Sequence, residues 1–431
     1  MKARNPNPKV AGVLSALIAG AGQVYNGQRR KALAFMCIEA IFLVLAITTL
    51  RDPLYGLVTL NPVGRFVDSR HILLVGILSA LAVGAYAWFH AANVADAVKT
   101  AQFVRLCGRL PEEVSAGSDW HAFLRSAAPY FYIAPAMALT AFVILIPLLF
   151  NVALAFTNYN LYHCPPAGRF DWVGFSNFRK LLQSGSSWRG QLDTVLAWNL
   201  AYAALGTVFA FLVGLVLALT LQNRQIRLRR MFRTILMLPW AIPSAVTIMV
   251  FFGLFNTSFG PINGLLKSIG LSPISWFQDN FWARVSVLLT HVWIAFPFNM
   301  SVISAALQSV PNEVYEAARV DGASRWDSFS RITFPLVMSV IAPVAVLMFA
   351  GNFNNFGIIY LLTSGGPPVP GSRGAGATDI LMTWVYNVGF RQLQWAYASS
   401  LALLVFAFVV IMSMTNFKLS GVLKQLKQEE Q

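Results

Sequence analysis

Eight apolar runs, each about as long as a bilayer core is thick, decide what this chain can become. They lie at about 32–50, 72–91, 129–157, 194–222, 234–256, 282–309, 337–362 and 395–416. A helix needs about 20 apolar residues to cross the hydrocarbon. Within lipid every backbone N–H and C=O must find a partner in the protein, and a helix supplies its own. The fold class expected is therefore an all-α polytopic membrane protein with about eight transmembrane helices. Only 11% of the 431 residues are charged, against about 25% in a soluble domain.

The basic residues fix an orientation. Lys2, Arg4, Lys9, Arg29, Arg30 and Lys31 precede the first run, and Arg224, Arg227, Arg229, Arg230 and Arg233 follow the fourth. Lys418, Lys424 and Lys427 follow the last. With eight spans these three groups share one side, which the positive-inside rule makes cytoplasmic, so both termini are expected inside. The outer loops 51–71, 257–281 and 363–394 carry few basic residues. Topology thus accounts for the net charge of +15, and no nucleic-acid partner is expected. Cys37, Cys107 and Cys164 are scattered, with neither metal-ligand nor disulfide spacing, so no metal site is expected. Residues 1–31 are polar and basic rather than leader-like. Within them 10–31 reads as a surface or re-entrant helix, since a ninth span would put the N-terminus outside. Residues 92–128 read as a partly helical cytoplasmic linker, broken at Pro111 and Gly117.

The polar stretch 310–336, VPNEVYEAARVDGASRWDSFSRITFPL, interrupts the apolar second half. Pro311 suits a first helical turn, and Glu313 and Glu316 sit where the macrodipole favours acids. Ala317 and Ala318 keep one patch flat, and Gly322 suits a left-handed reversal. Ser324 with Asp327 reads as the cap of a second short helix running to about Phe334, with Pro335 before the next span. The expected product is a cytoplasmic helix–turn–helix that another protein can grip.

Glu316-Ala317-Ala318, Asp321-Gly322-Ala323, Ile332 and Pro335-Leu336 resemble the EAA loop of ABC importer permeases. From Tyr130 on the likeness continues, through Trp172-Val173-Gly174-Phe175, Asn177-Phe178 and RRMFRTILMLPWAIPSAV, and it is of the sugar (carbohydrate uptake) type. Two extra N-terminal spans and the Asn-rich motif below point to the maltose/maltodextrin branch, although the loop at about 158–193 is short for it. The resemblance implies three regions: 1–128 with two accessory helices, a six-helix permease core at 129–417 and a tail at 418–431. It implies that Glu316, Ala317, Ala318, Asp321 and Gly322 couple to an ATPase. It implies as partners a second permease subunit (MalG-like), two ATPase subunits holding ATP and Mg, an extracytoplasmic sugar-binding protein and membrane lipid. No cofactor is expected in this chain, which has no P-loop lysine in its Gly/Pro-rich stretch LTSGGPPVPGSRGAGATD.

Sugar recognition in an apolar membrane needs amides and flat apolar faces. Buried polar side chains there are expensive and usually functional. Gly351-Asn352-Phe353-Asn354-Asn355-Phe356-Gly357 offers three amides; Asn352 and Asn355 share a helix face and Asn354 points elsewhere. The alternative is interhelical bonding. In His291-Val292-Trp293-Ile294-Ala295-Phe296-Pro297-Phe298, Pro297 frees the Trp293 carbonyl and bends the helix. The resemblance places Ile294, Ala295 and Phe298 at sugar contacts, with His291 one turn earlier as either a hydroxyl partner or a packing residue. The family pattern of glycine, tyrosine and asparagine is here Ala295, Phe298 and His291. Pro239 and Pro243 are expected to kink the fifth span. Trp384, Tyr386, Trp395 and Tyr397 read as membrane-interface anchors. Two other functions fit these residues less well. A membrane-embedded enzyme needs surface acids, and Glu316 and Asp321 are already in the EAA-like loop. An ion-coupled transporter needs a buried acid, and only Glu39 qualifies.

Overall fold

The computed structural model describes residues 6–62, 68–108, 132–223, 225–308, 311–372 and 374–419. Their regular secondary structure is helical apart from two isolated β-bridges. Among the described residues six helices are long and apolar enough to cross a bilayer, seven if one broken pair counts as a span. Trp395–Leu419 adds a 25-residue helix. These helices overlap the eight apolar runs. The chain forms two compact units, Met1–Gly174 and Phe175–Gln431.

The first unit holds α1 (Pro8–Leu17), α2 (Ala21–Tyr25), α3 (Arg29–Thr59), α4 (Ser69–Cys107) and α5 (Tyr132–Leu154). Residues 10–31 are thus two short helices rather than one apolar rod. A polar lattice holds them on α4. Asn93 Oδ1 accepts from Gly20 N at 3.2 Å and Asn93 Nδ2 donates to Ser15 O at 3.2 Å. Gln23 Nε2 donates to Asn93 O at 3.0 Å, and Lys31 Nζ lies 2.6 Å from Asp96 Oδ1. Glu39 accepts from Ala19 N at 2.5 Å and from the Tyr86 hydroxyl at 3.4 Å. The one acid found inside an apolar run is therefore an anchor for the N-terminal turn. Gly22 is required here, because a Cβ would stand 2.2 Å from Ala11 O. The 39 residues of α4 extend about 58 Å at 1.5 Å per residue. Residues 92–107, expected in a linker, continue this helix, and 109–128 lie outside the described residues. Leu154 of α5 packs with Leu60, Leu73, Ile77 and Phe170.

The second unit is built on α7 (Ser187–Gln222) and α11 (Asn280–Gln308), preceded by α6 (Ser176–Leu182). α7 buries a row of small residues, Ala203, Gly206, Ala210, Gly214 and Ala218. A Cβ on Gly214 would stand 2.7 Å from Asn299 Cβ and 2.8 Å from Met300 N, so the two backbones nearly touch. Small residues permit this approach, which dispersion and weak polar contacts reward in lipid.

Several expectations are corrected. The fifth span is broken, not kinked: α8 (Arg229–Ala241) and α9 (Ser244–Leu254) meet at 93°. Ile242 is extended, φ −85° and ψ 134°, as the ring of Pro243 demands of the residue before it. The helix expected to stop near Phe334 does not stop. α12 (Asn312–Val320) is followed by α13, which runs unbroken from Arg325 to Phe353. A π-turn over Phe329–Thr333 widens the helix just before Pro335, whose missing donor it accommodates. The run expected to end at 362 is interrupted, since α14 (Phe356–Thr363) starts anew after Asn354 and Asn355. By contrast α11 passes through Pro297 without a break. α10 (Pro261–Ser268), α15 (Leu381–Tyr386) and α16 (Trp395–Leu419) complete the unit. Trp384 is not an interface anchor. It is fully buried, beside Trp188, which stacks on Tyr397 at 5.1 Å. Tyr386 joins Phe356, Tyr360 and Phe390 in an aromatic cluster.

Candidate coupling elbow and membrane polar cluster

The elbow between α12 and α13 is closed by its own hydrogen bonds. Asp321 N donates to Ala317 O at 3.0 Å and Ala323 N to Ala318 O at 2.9 Å. Gly322 takes φ +79° between them. Ser324 and Asp327 form a reciprocal capping box, with Asp327 N donating to Ser324 Oγ at 3.1 Å and Ser324 N to Asp327 Oδ2 at 3.2 Å. The Tyr315 hydroxyl lies 3.0 Å from Thr333 Oγ1 and ties α12 to α13. Glu316 is exposed on α12, its carboxylate 4.0 Å from the Arg319 guanidinium. Ala317 is exposed and Ala318 half-buried. Val320 and Trp326 are 88% and 71% exposed. The elbow is thus internally satisfied yet shows apolar side chains.

Gly322 has open space around it, so its requirement is the backbone alone. We expect Gly322→Val to destabilise the elbow by about 1–2 kcal/mol without changing helical content. Faster amide exchange confined to 317–327 would register this; unchanged exchange would contradict it.

The seven residues singled out as sugar contacts meet different partners, several of them along α7 and α14. Asn352 is buried and its Nδ2 donates to Thr207 Oγ1 at 2.9 Å. Asn355 stands at the break and caps α14, its Oδ1 accepting from Ile358 N at 3.5 Å. Asn354 is exposed, its Nδ2 donating to Ala350 O at 3.3 Å. On α11, His291 is buried with its Nδ1 3.3 Å from the Tyr202 hydroxyl. Its ring fills the notch at Gly206, where a Cβ would stand 2.9 Å from His291 Cδ2. Ile294 packs with Ile358 and Ile359 of α14, which brings it beside the helix that Asn355 caps. Ala295 is half-buried, and its carbonyl accepts from Asn299 Nδ2 at 3.0 Å. Phe298 is exposed and lies 6.2 Å from the Trp240 ring.

Sequence reasoning missed the α7 side of this cluster. Asn199 Nδ2 donates to Phe353 O at 3.0 Å, and Asn199 Oδ1 accepts from Leu381 N at 2.9 Å. It thereby satisfies a carbonyl that the helix break leaves free. Asn199, Tyr202, Gly206 and Thr207 share one helix face, and that polar stripe in an apolar span was the available signal. The Gly/Pro-rich loop after α14 is organised around buried Asp379. Its Oδ2 accepts from Gly376 N at 2.8 Å, and both carboxyl oxygens accept from Asn387 Nδ2 at 3.2 Å. Burial holds this carboxyl above the usual carboxylate range. Gly365, at φ +86°, leaves room for it. Trp198 Nε1 and Arg284 Nε donate to Thr378 O and Ala377 O at 3.1 and 2.8 Å, which fastens the loop to α7 and α11.

The chain is similar to several known proteins. The galactooligosaccharides transport system permease protein GanP of Bacillus subtilis is 35% identical over 422 residues, 97% of this chain and 98% of that protein. The maltodextrin transport system permease protein MdxF of the same organism is 35% identical, covering 95% of each. The maltose/maltodextrin transport system permease protein MalF of Vibrio parahaemolyticus is 36% identical over 58% of this chain and 48% of its own length. Among solved structures, a bacterial ABC transporter involved in the import of alginate has a similar fold, with TM-score 0.57 and 23% identity over 70% of this chain and 97% of that one. Residues 195–421 match the family described as binding-protein-dependent transport system inner membrane component. With the elbow, the helical core and this full-length likeness together, the chain belongs to that family of transporter permeases.

Proposed function

We propose that the chain is the membrane-spanning subunit of a binding-protein-dependent ABC importer for a neutral oligosaccharide, of the maltose/maltodextrin class. It sits in a bacterial cytoplasmic membrane with both termini inside. A second, MalG-like permease completes the pathway, two separate ATPase subunits hydrolyse ATP with Mg, and an extracytoplasmic protein delivers the sugar. The chain is a transport subunit and not an enzyme. The observation that carries this reading is the elbow. It is folded by its own capping bonds, yet it presents Glu316, Val320 and Trp326 outward. ATPase closure pushes on α12; the capping box and the Tyr315–Thr333 bond pass that push into α13, which runs unbroken to Asn352 and Phe353. The far end of the lever is the helix break. There the Asn354 and Asn355 amides and Phe298 remain reachable for sugar hydroxyls and ring faces.

GanP, at 35% identity over nearly the whole chain, supports a second reading in which the cargo is a galactooligosaccharide. Both readings are tested by sugar-stimulated ATP hydrolysis of the assembled complex in proteoliposomes. The panel is maltose, longer maltodextrins, galactooligosaccharides, trehalose and sucrose. Stimulation by maltodextrins supports the first reading, and stimulation by galactooligosaccharides alone supports the second. Uptake driven by an ion gradient without ATPase subunits would sink both.

The amides are expected to separate by role. Asn355→Ala should raise the uptake KM several-fold, and because its cap bond on α14 is long at 3.5 Å, the stability cost should stay at about 0.5 kcal/mol. Asn352→Ala should cost about 1–2 kcal/mol of stability, because it leaves Thr207 without its donor, and Thr207→Val should cost a similar amount. Equal KM effects for both asparagines with intact stability would overturn this division.

A further inference from the structure

Behind the elbow, among the ends of α7, α8 and α11 and the start of α13, lies an open cavity of about 1000 Å³. Arg229, Arg230, Arg233, Arg319 and Arg325 line it, with Glu316 as the lining carboxylate. Glu316 lies 4.0 Å from Arg319. Among the described residues the other four guanidinium groups have no carboxylate at ion-pair distance. Like charges around one cavity repel, and an anion between them converts that repulsion into attraction. Guanidinium forks match phosphate oxygens two at a time.

A second observation says which kind of phosphate. α8 interleaves its arginines with exposed Met231, Phe232 and Ile235, and Leu228 just before it is exposed too. A short helix that mixes arginines with bare apolar side chains fits the boundary between headgroups and acyl chains. Leu219 and Phe329 add apolar wall to the same cavity. A soluble anion uses only the charge, whereas a phospholipid uses both features. The basic loops place this end of the helices at the cytoplasmic leaflet, where anionic lipids concentrate and basic pockets between helices hold their headgroups.

We propose that this cavity binds the phosphate headgroup of an anionic phospholipid of the cytoplasmic leaflet, gripped by Arg230, Arg233 and Arg325. One headgroup then bridges α8 to the start of α13 and ties the elbow to the membrane surface. This goes beyond the transport reading, for it concerns a lipid and not the cargo.

The test uses the assembled transporter in nanodiscs of phosphatidylcholine containing phosphatidylglycerol, with bound lipid counted by native mass spectrometry. The wild type should retain phosphatidylglycerol in preference to phosphatidylcholine. Arg230→Gln, Arg233→Gln and Arg325→Gln should each weaken retention about fivefold, while Arg230→Lys retains most of it. Inorganic phosphate should not displace the lipid. Equal retention in wild type and variants overturns the proposal. Displacement by inorganic phosphate overturns it in favour of a free-anion site. Loss of the ATPase subunits with unchanged lipid retention overturns it in favour of a protein partner. Lipid counting is independent of sugar uptake, so failure of the transport reading leaves this result standing.

Discussion

Glu316→Lys should abolish sugar-stimulated ATP hydrolysis while the membrane domain still folds. The side chain is 67% exposed and its ion-pair partner among the described residues, Arg319, is itself 72% exposed at 4.0 Å. Exposed pairs of this kind contribute about 0–1 kcal/mol, so the isolated permease loses little. In the complex the reversal has a different cost. On the proposed coupling, a partner surface that takes the Glu316 carboxylate would meet an ammonium instead, and a lost buried charge partner costs about 2–5 kcal/mol. That is a fall of about thirtyfold to several thousandfold in coupled activity. The measurement is stimulated hydrolysis beside a size-exclusion profile of the permease. Normal stimulation in a well-assembled variant would remove the elbow from the coupling path.

Gly214→Leu should produce the largest loss of folded protein. The new Cβ would meet Asn299 Cβ at 2.7 Å and Met300 N at 2.8 Å. Backbone cannot swing aside as a side-chain tip can, so α7 and α11 must separate. Overpacking of a rigid site costs about 1–3 kcal/mol and at times more, and here the displaced seam also carries the Tyr202–His291 contact. Gly190→Leu is the control, on the same helix but with nothing near its Cβ position; it should stay within about 0.5 kcal/mol of wild type. Similar thermal unfolding for the two variants would contradict the close packing.

The spans were legible because hydrophobicity must be continuous over a bilayer thickness, and the elbow because Pro311, Gly322, Ser324 and Asp327 each have a local backbone job. What failed was local inference carried past its range. Pro335 reads as a stop, but a preceding π-turn absorbs its missing donor. Pro243 reads as a kink, although its effect on Ile242 is enough to split the span. Trp384 reads as amphipathic, yet only its tertiary neighbour Trp188 reveals that it faces inward. The partner of Asn352 is 145 residues away in sequence, a distance no periodicity spans. The sequence could mark Asn352 as costly, but not say what satisfies it.

The break at Asn354 and Asn355 carries a consequence for energetics. Its polar groups, the side chains of Asn199, Thr207, Asn352 and Asn355 and the carbonyl of Phe353, include no carboxylate, ammonium or guanidinium. A neutral cargo of the kind proposed above, passing dipoles alone, would move no net charge, and a transmembrane voltage does work only on charge. Imposing a diffusion potential of either sign across sealed vesicles should therefore leave the uptake rate unaltered.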